Sequence, residues 1–430
     1  MMKFYFKVDH ATFSYFSIMA IAALIALIRG FLVAGMLDVP SFGSYATIVA
    51  AGMFTSAIIS FGEIEQTLKT YPRLWLTESD RRYVIKHSDK SSKRIIRRVG
   101  IVLILMLPCL FVDAISLFVQ MGIFVVLVAL SAAMASLYTS AIRATGEVEL
   151  LARNTLLRAV IVIILGLLGA FFFNWQGAIF GEVSGALLGA LITRHSIIQQ
   201  INRCNKDKKF LDQNDNTKIY TSGGLWLFFA SLLTLAPVYL DRAYVASVFG
   251  ATTVGTFGFL MLFVTGANTF TGIIAQKVGP QIVKMEHVGE SITAQIKYAF
   301  SWLKLIWLVC ITGMVCVALL LVLGPAQYFF EKFHLDLNLI AATSALCILQ
   351  IGVIADFILI SRNQERAIFF AACCYLTITV FVVIIVLWLK LSLADFIWLL
   401  VLSKFLHIAA QTWFIGSIWF EHKTPCKEVK

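Results

Sequence analysis

The sequence predicts an all-α integral membrane protein of about twelve transmembrane helices, built as two six-helix bundles related by a parallel repeat. Three observations carry that reading. The chain is 60% hydrophobic and only 14% charged, with charge-free runs at 10–28, 39–62, 114–142, 243–276, 305–330 and 367–389. Such runs are too long for the amphipathic helices of a water-soluble domain. The segment RGFLVAGMLDVPSFGSY at 29–45 recurs in weakened form as RAYVASVFGATTVGTF at 242–257, about half a chain away. A repeat at that offset in so apolar a chain is the mark of a duplicated transporter. Finally, the Lys and Arg residues are strongly segregated between alternate connections.

The spans fall at 14–37, 41–62, 99–119, 121–142, 156–173 and 175–193 in the first half. In the second half they fall at 220–248, 252–273, 299–322, 338–361, 367–388 and 394–418. Residues 1–200 form the N-terminal bundle, 201–219 a cytoplasmic linker and 220–430 the C-terminal bundle. The apolar run after Lys3 and Lys7 continues through Arg29 into the repeat, so it reads as an uncleaved first helix rather than a signal peptide.

Basic residues fix the orientation, because Lys and Arg in short loops stay on the cytoplasmic side. With the N-terminus inside, only Lys332 and Lys390 face out, and Arg29, Arg242, Lys304 and Lys404 fall within spans. All other Lys and Arg lie in, or at the membrane edge of, inward segments, most densely between Lys69 and Arg98. Both termini are then cytoplasmic, and both bundles start inside, which makes the repeat parallel. The net charge of +11 is spread over these membrane-edge segments, and no nucleic-acid module accompanies it. The 73–98 stretch is expected to lie along the inner membrane face, as a topology signal attracted to anionic headgroups.

Several functions are excluded or weakened. The eight cysteines show no metal-like pairing and imply no disulfide framework. Phosphate-loop, nucleophile-elbow, zinc-protease and dinucleotide motifs are missing, so no enzyme, catalytic residue, metal or cofactor is expected. The longest outward loop, about 324–337, is the main obstacle to a third reading, a membrane glycan polymerase or glycosyltransferase, which needs a sizeable periplasmic loop.

The intramembrane charges are the candidate site, since a charge at the bilayer centre costs roughly 2.5–3.5 kcal/mol on insertion scales and should face a polar interior. Counting back from the outer turns at about 1.5 Å per residue puts Arg29, Glu182, Arg242 and Lys404 in one layer, roughly 10–15 Å below the outer surface. Arg29 and Arg242 occupy matching places in the repeat. Lys404, His407 and Gln411 share one face of the last helix. These five are the expected ligands of an anionic, hydroxyl-rich substrate: Arg gives forked donors, Lys a point charge, Gln and His adaptable hydrogen bonds. Taken singly, Arg242 could equally pair with a neighbour and His407 be a satisfied interior histidine. Glu182, Asp241 and Asp356 are expected to serve in charge pairs or in ion coupling, with Glu182 meeting Arg29 and Asp356 near Arg362; Asp113 lies close to a helix end. Gly177, Gly181, Gly185 and Gly189 repeat every four residues and should let another helix approach. Pro237 should bend the seventh span.

The FGSYA motif at 42–46 beside Arg29, FGEIEQTLKTYP at 61–72 and LDRAYVASVFGATTVGTFGF at 240–259 resemble the Wzx-type polysaccharide flippases. These belong to the multidrug, oligosaccharidyl-lipid and polysaccharide exporter superfamily, with a MATE/MOP-like fold. The resemblance implies a flippase in the bacterial inner membrane that moves undecaprenyl-pyrophosphate-linked O-antigen or capsule repeat units to the outer leaflet by alternating access. Implied partners are that lipid-linked glycan, membrane lipids, a polysaccharide polymerase and a chain-length regulator. A MATE-like drug exporter or a peptidoglycan-precursor exporter is the alternative.

Overall fold

The computed structural model describes residues 10–64, 67, 71, 81–106, 108, 116–144, 147–204, 222–322, 327–362 and 364–423. Every described element is helical. Apolar runs of this length must satisfy their backbone groups internally where no water is available, and the helix does so within each segment.

In the first half the helices are α1 (His10–Met36), α2 (Val39–Ser60), α3 (Arg81–Met106) and α4 (Ser116–Ala144). The helical stretch Val148–Cys204 is two helices, α5 (148–172) and α6 (175–204), because Phe173 and Asn174 leave the helical region, Asn174 at φ 57°. The second half holds α7 (Ser222–Phe249), α8 (Ala251–His287), α9 (Ile292–Val322), the short α10 (Gln327–Lys332) and α11 (Leu337–Ile348). A 3₁₀ turn at Gln350–Gly352 separates α11 from α12 (Val353–Ser361), followed by α13 (Glu365–Leu389) and α14 (Leu393–Lys423). Helix occupies the described part of each predicted span, with several helices running past it, α8 as far as His287, and three larger differences. Residues 81–98 are not a separate surface segment but continue into the third span as one helix, while 72–80 lie outside the described residues. The tenth span is broken in the middle. The stretch assigned to a linker begins inside α6, which runs to Cys204; its remainder lies outside the described residues.

The chain divides into two compact units, Met1–Phe228 and Phe229–Lys430. In the first, α2 packs on α4, α1 on the α5–α6 pair and α4 on both α3 and that pair, around a core of Ile59, Ile95, Val99, Val126, Ala133 and Leu137. The glycine stripe of α6 does what its spacing predicts: a Cβ at Gly181 would lie 2.1 Å from the carbonyl oxygen of Leu165, and one at Gly177 2.1 Å from that of Gly169. α5 and α6 therefore touch backbone to backbone. In the second unit, α8 packs on α9, α11 and α12, and α14 on α11 and α13, around Phe257, Leu260, Val386, Phe396 and Ile397. Pro237 is buried inside α7, which stays continuous through it.

The exterior is apolar, as lipid contact requires. Phe171, Phe172 and Phe173 at the α5–α6 turn and Trp388 near the end of α13 are all more than two-thirds exposed, a pattern typical of an aromatic belt at a membrane interface. The connection carrying α10 is tied down rather than elaborated: Phe333 is fully buried, stacks on Phe259 at 4.4 Å, and its carbonyl accepts from Thr256 Oγ1 at 2.9 Å.

Candidate functional site

Each unit buries its own cluster of charges. In the first, the turn after α1 is fixed by Asp38, whose Oδ2 accepts from Ser41 N at 3.4 Å, with Pro40 in the first turn of α2. That turn sets the register of Arg29, about nine residues back, against Glu182, about eight residues past Asn174. Arg29 Nη1 lies 3.2 Å from Glu182 Oε2. Tyr45, from α2, donates a short hydrogen bond to Glu182 Oε1. Gly166 of α5 makes room, since a Cβ there would sit 3.1 Å from Glu182 Cγ. The expected Arg29–Glu182 pair is thus present, with both carboxylate oxygens engaged. Arg29 Nε is buried without a hydrogen-bond partner among the described residues.

The second unit gathers a larger cluster from α7, α12, α13 and α14. Arg242 Nη1 is 3.8 Å from Asp241 Oδ1 and 3.5 Å from the Val238 carbonyl, both at the edge of useful contact. The shared face of α14 points into the protein: Lys404, His407 and Gln411 are all buried. His407 stacks on Tyr375 of α13 at 4.7 Å, and Lys404 Nζ sits 5.3 Å from the centre of the same ring. Gln411 donates to Asp356 Oδ1 at 2.7 Å, and Asp356 also feels the charge of Lys404. Asp241 interacts electrostatically with Tyr375, which closes the chain of contacts. Several polar atoms here are buried without partners among the described residues: Asp241 Oδ1, Arg242 Nε, Ser403 Oγ, His407 Nδ1 and Gln411 Oε1. Such atoms are costly to leave without a bond in a low-dielectric interior.

One expected pairing is corrected. Asp356 does not meet Arg362, which instead reaches Glu286 at 2.8 Å and the Glu290 carbonyl at 3.5 Å. Arg362 ends α12, so its long side chain leaves the helix toward the α8–α9 turn, while Asp356 lies more than a turn back and faces α14. The 3₁₀ break supports that contact: Gly352 has no side chain where Gln411 Oε1 lies 3.0 Å from the position of a Cβ. Asp113 lies outside the described residues, and Lys304 is exposed on α9. Two members of these clusters, Tyr45 and Tyr375, were not foreseen; Tyr45 lay in the repeated motif and so carried a signal, Tyr375 in an undifferentiated apolar run.

No protein-family profile matches the chain, and no curated protein matches it. Solved structures do. An outward-facing multidrug resistance MATE family transporter of the MOP superfamily is 15% identical, with 96% of each chain covered and a TM-score of 0.61. An inward-facing one is 12% identical over 96% of this chain and 99% of that chain, also at 0.61. A Pyrococcus furiosus MOP superfamily transporter, whose reversed binding-pocket polarity is taken to suggest a different function, is 13% identical over 96% of each chain at 0.56. The fold is that of the MATE/MOP transporters. On the last helix of each unit, Glu182 stands in the first where Lys404 stands in the second; in the repeated motif, Tyr45 corresponds to Phe257, which has no hydroxyl and is buried in apolar core.

Proposed function

We propose that the protein is a flippase for a lipid-linked oligosaccharide, carrying undecaprenyl-pyrophosphate-linked repeat units of O-antigen or capsule across the bacterial inner membrane by alternating access. The single observation that carries this is the second cluster. Arg242 and Lys404 are buried without a hydrogen-bonded carboxylate of their own, beside His407 and Gln411 with open hydrogen-bonding atoms. A pyrophosphate offers the acceptors that Arg242 Nε and Lys404 would otherwise lack, and charge-assisted bonds of this kind are about twice as strong as neutral ones. The motif resemblance at 42–46, 61–72 and 240–259 supports the glycan-lipid substrate, and the tied-down α10 connection speaks against a polymerase or other enzyme. Glu182 is the structural partner of Arg29, while Asp241 and Asp356 balance the basic residues of the second unit and are the candidates for ion coupling.

A second reading has its own observation. The two buried carboxylates of the second cluster, Asp241, which interacts with Tyr375, and Asp356, would suit an organic cation, as in a drug exporter; one structure of the same fold is that of a MATE multidrug transporter, DinF-BH, solved as a complex. Deleting the gene separates the two. The flippase reading expects loss of surface glycan, lipid-linked repeat units held on the inner leaflet and unchanged dye efflux; intact surface glycan with reduced efflux would establish the exporter instead.

A further inference from the structure

α3 sorts its charges by direction. Those that turn inward are answered within the protein: Arg94 and Arg98 meet Glu63 at 3.1 and 3.0 Å, and Asp89 is held by Arg194 at 2.8 Å. Those that turn outward are not. Lys86, Lys90, Lys93 and Arg97 are exposed, follow one another at helical spacings of four, three and four residues, and so line one face. None of the four has an ion pair or hydrogen bond among the described residues; Lys93 senses the charge of Asp89, but Arg194 and Tyr138 already occupy that carboxylate. Like charges one turn apart destabilise a helix, so an anion laid on this face relieves it. The same face then turns apolar without a break, presenting Ile101 and Ile104 with Leu105 beside them, exposed at 52, 66 and 70%.

The neighbouring α6 runs antiparallel to α3 and marks the level of the membrane surface. Arg194 is level with Asp89, and Ile198, Ile201 and Asn202 line one groove with Ile85 and Lys86. On α6 the exposed apolar residues end at Leu191, and exposed His195 and Gln199 follow. Leu191 is three residues from Arg194, which puts it level with about residue 92 of α3, whereas the apolar face of α3 starts past Arg97. The stretch between is roughly 7 Å long at about 1.5 Å per residue, the thickness of a headgroup layer, roughly 5–8 Å on each side of the hydrocarbon core. Lys93 and Arg97 lie in it. The second unit repeats the pattern on α9, where Lys297, Phe300, Lys304, Leu308 and Ile311 are exposed at the spacing of Lys90, Lys93, Arg97, Ile101 and Ile104, with Trp307 exposed beside them.

We propose that Lys93 and Arg97, on the outward face of α3, form a site for the phosphate of an anionic phospholipid whose acyl chains lie along Ile101, Ile104 and Leu105. Arg97 supplies a fork for the phosphate oxygens, and Lys93 a point charge one turn away. Lys90 and Lys86, roughly 10 and 16 Å from Arg97 along the helix axis, stand beyond the headgroup layer and attract the lipid without holding it. The site is separate from the buried charged clusters and does not depend on the transport reading.

The test titrates the purified full-length protein, in neutral detergent, with dioleoyl phosphatidylglycerol, dioleoyl phosphatidylcholine or inorganic polyphosphate and reads the unfolding temperature. Phosphatidylglycerol should raise it by several degrees more than phosphatidylcholine does. Lys93→Gln and Arg97→Gln should each weaken the apparent affinity for phosphatidylglycerol by about fivefold, the worth of one base near a charged surface, and the double variant by more than tenfold. Arg97→Lys keeps the charge without the fork and should fall between Arg97→Gln and the parent. Lys86→Gln, beyond the headgroup layer, and Arg153→Gln, exposed on α5, should respond like the parent. In phosphatidylcholine the α3 variants should unfold at or above the parental temperature, because each removes a like-charge repulsion; this separates loss of the site from loss of the fold. The proposal is overturned if the two phospholipids shift the parent equally, if the double variant binds phosphatidylglycerol as the parent does, or if Lys86→Gln or Arg153→Gln weakens binding as much as Arg97→Gln. Polyphosphate stabilising the parent as strongly as phosphatidylglycerol would also overturn it, by assigning the basic face to a soluble polyanion.

Discussion

Arg29 and Arg242 occupy the same place in the repeat and live in opposite surroundings. Arg29 faces a carboxylate at 3.2 Å whose second oxygen is held by Tyr45, so the first unit closes its charge with one well-placed pair. Among the described residues Arg242 has a carboxylate only in its sequence neighbour at 3.8 Å, and the last helix of its unit contributes another base, Lys404, where the first unit contributes Glu182. The tyrosine that completes the first cluster is replaced by Phe257 in the second. The repeated motif lies once in each of the two units. Differences at two side chains, Lys404 for Glu182 and Phe257 for Tyr45, leave the second cluster with buried donors and acceptors unmet among the described residues, the contrast on which the proposed binding role rests.

The comparison breaks most visibly in the Arg29–Glu182 pair. Removing one member of a buried ion pair leaves the other uncompensated, so Arg29→Ala should destabilise the protein by about 3 kcal/mol, seen as a lower unfolding temperature and lower abundance. Arg29→Ala/Glu182→Ala should recover much of that loss, because the stranded charge goes with its partner. A double variant as unstable as the sum of the singles would show that the two side chains are not coupled.

A smaller effect separates the helices that carry Glu182 and Lys404. Gly181→Ala places a methyl 2.1 Å from a backbone oxygen of α5 and must push the helices apart, at about 1–3 kcal/mol for overpacking. Gly416→Ala on α14 meets nothing within 4 Å and should be neutral or slightly stabilising. Thermal unfolding of the two variants checks this; equal loss in both would mean that the α5–α6 contact is not tighter than the surroundings of α14.

The smallest effect lies outside the membrane layer. Arg194 holds Asp89 by two bonds of 2.8 Å, with Tyr138 adding a third at 3.1 Å, and these hydrogen bonds draw the carboxyl below its usual range. A carboxyl whose folded pKa is depressed contributes stability above its unfolded value, near 3.9, and that contribution fades as pH falls through the folded value. Asp89 is partly exposed, so the contribution is modest. Acid titration of Asp89→Asn should show a shallower loss of stability below about pH 4 than the parent, and identical curves would assign acid sensitivity elsewhere.

Much of this was legible in the sequence because a bilayer enforces simple rules. Hydropathy located the spans where the structure describes them, though it missed how far several helices continue past them, α8 to His287 against 273 and α6 to Cys204 against 193, and the four-residue glycine spacing foretold the α5–α6 contact. Counting residues from the turns put Arg29 and Glu182 at one depth, where the two side chains meet as an ion pair, and the spacing of Lys404, His407 and Gln411 gave their common buried face. What stayed hidden depends on rotation and distance rather than on depth. Asp356 is sequence-near Arg362 but turns to Gln411, because the 3₁₀ break at Gln350–Gly352 reorients α12, and no hydropathy pattern reports such a break. Residues 81–98 read as a surface segment by charge, although Glu63 draws Arg94 and Arg98 in at 3.1 and 3.0 Å and keeps them on a helix continuous with the third span. Tyr375 sits among alanines, cysteines and leucine with nothing to distinguish it until α14 lays His407 and Lys404 against its ring.

The most direct measurement is transport by Arg242→Ala at equal protein abundance, read as surface glycan and as lipid-linked repeat units retained on the inner leaflet, together with its unfolding temperature. The account predicts an unfolding temperature close to the parent's, because Arg242 makes no strong bond to lose, and a collapse of transport, with Arg242→Lys intermediate since it keeps the charge without the fork. Transport at the parental level in Arg242→Ala, or a loss of stability as large as that of Arg29→Ala, would contradict the division of the two clusters into ion pair and binding site.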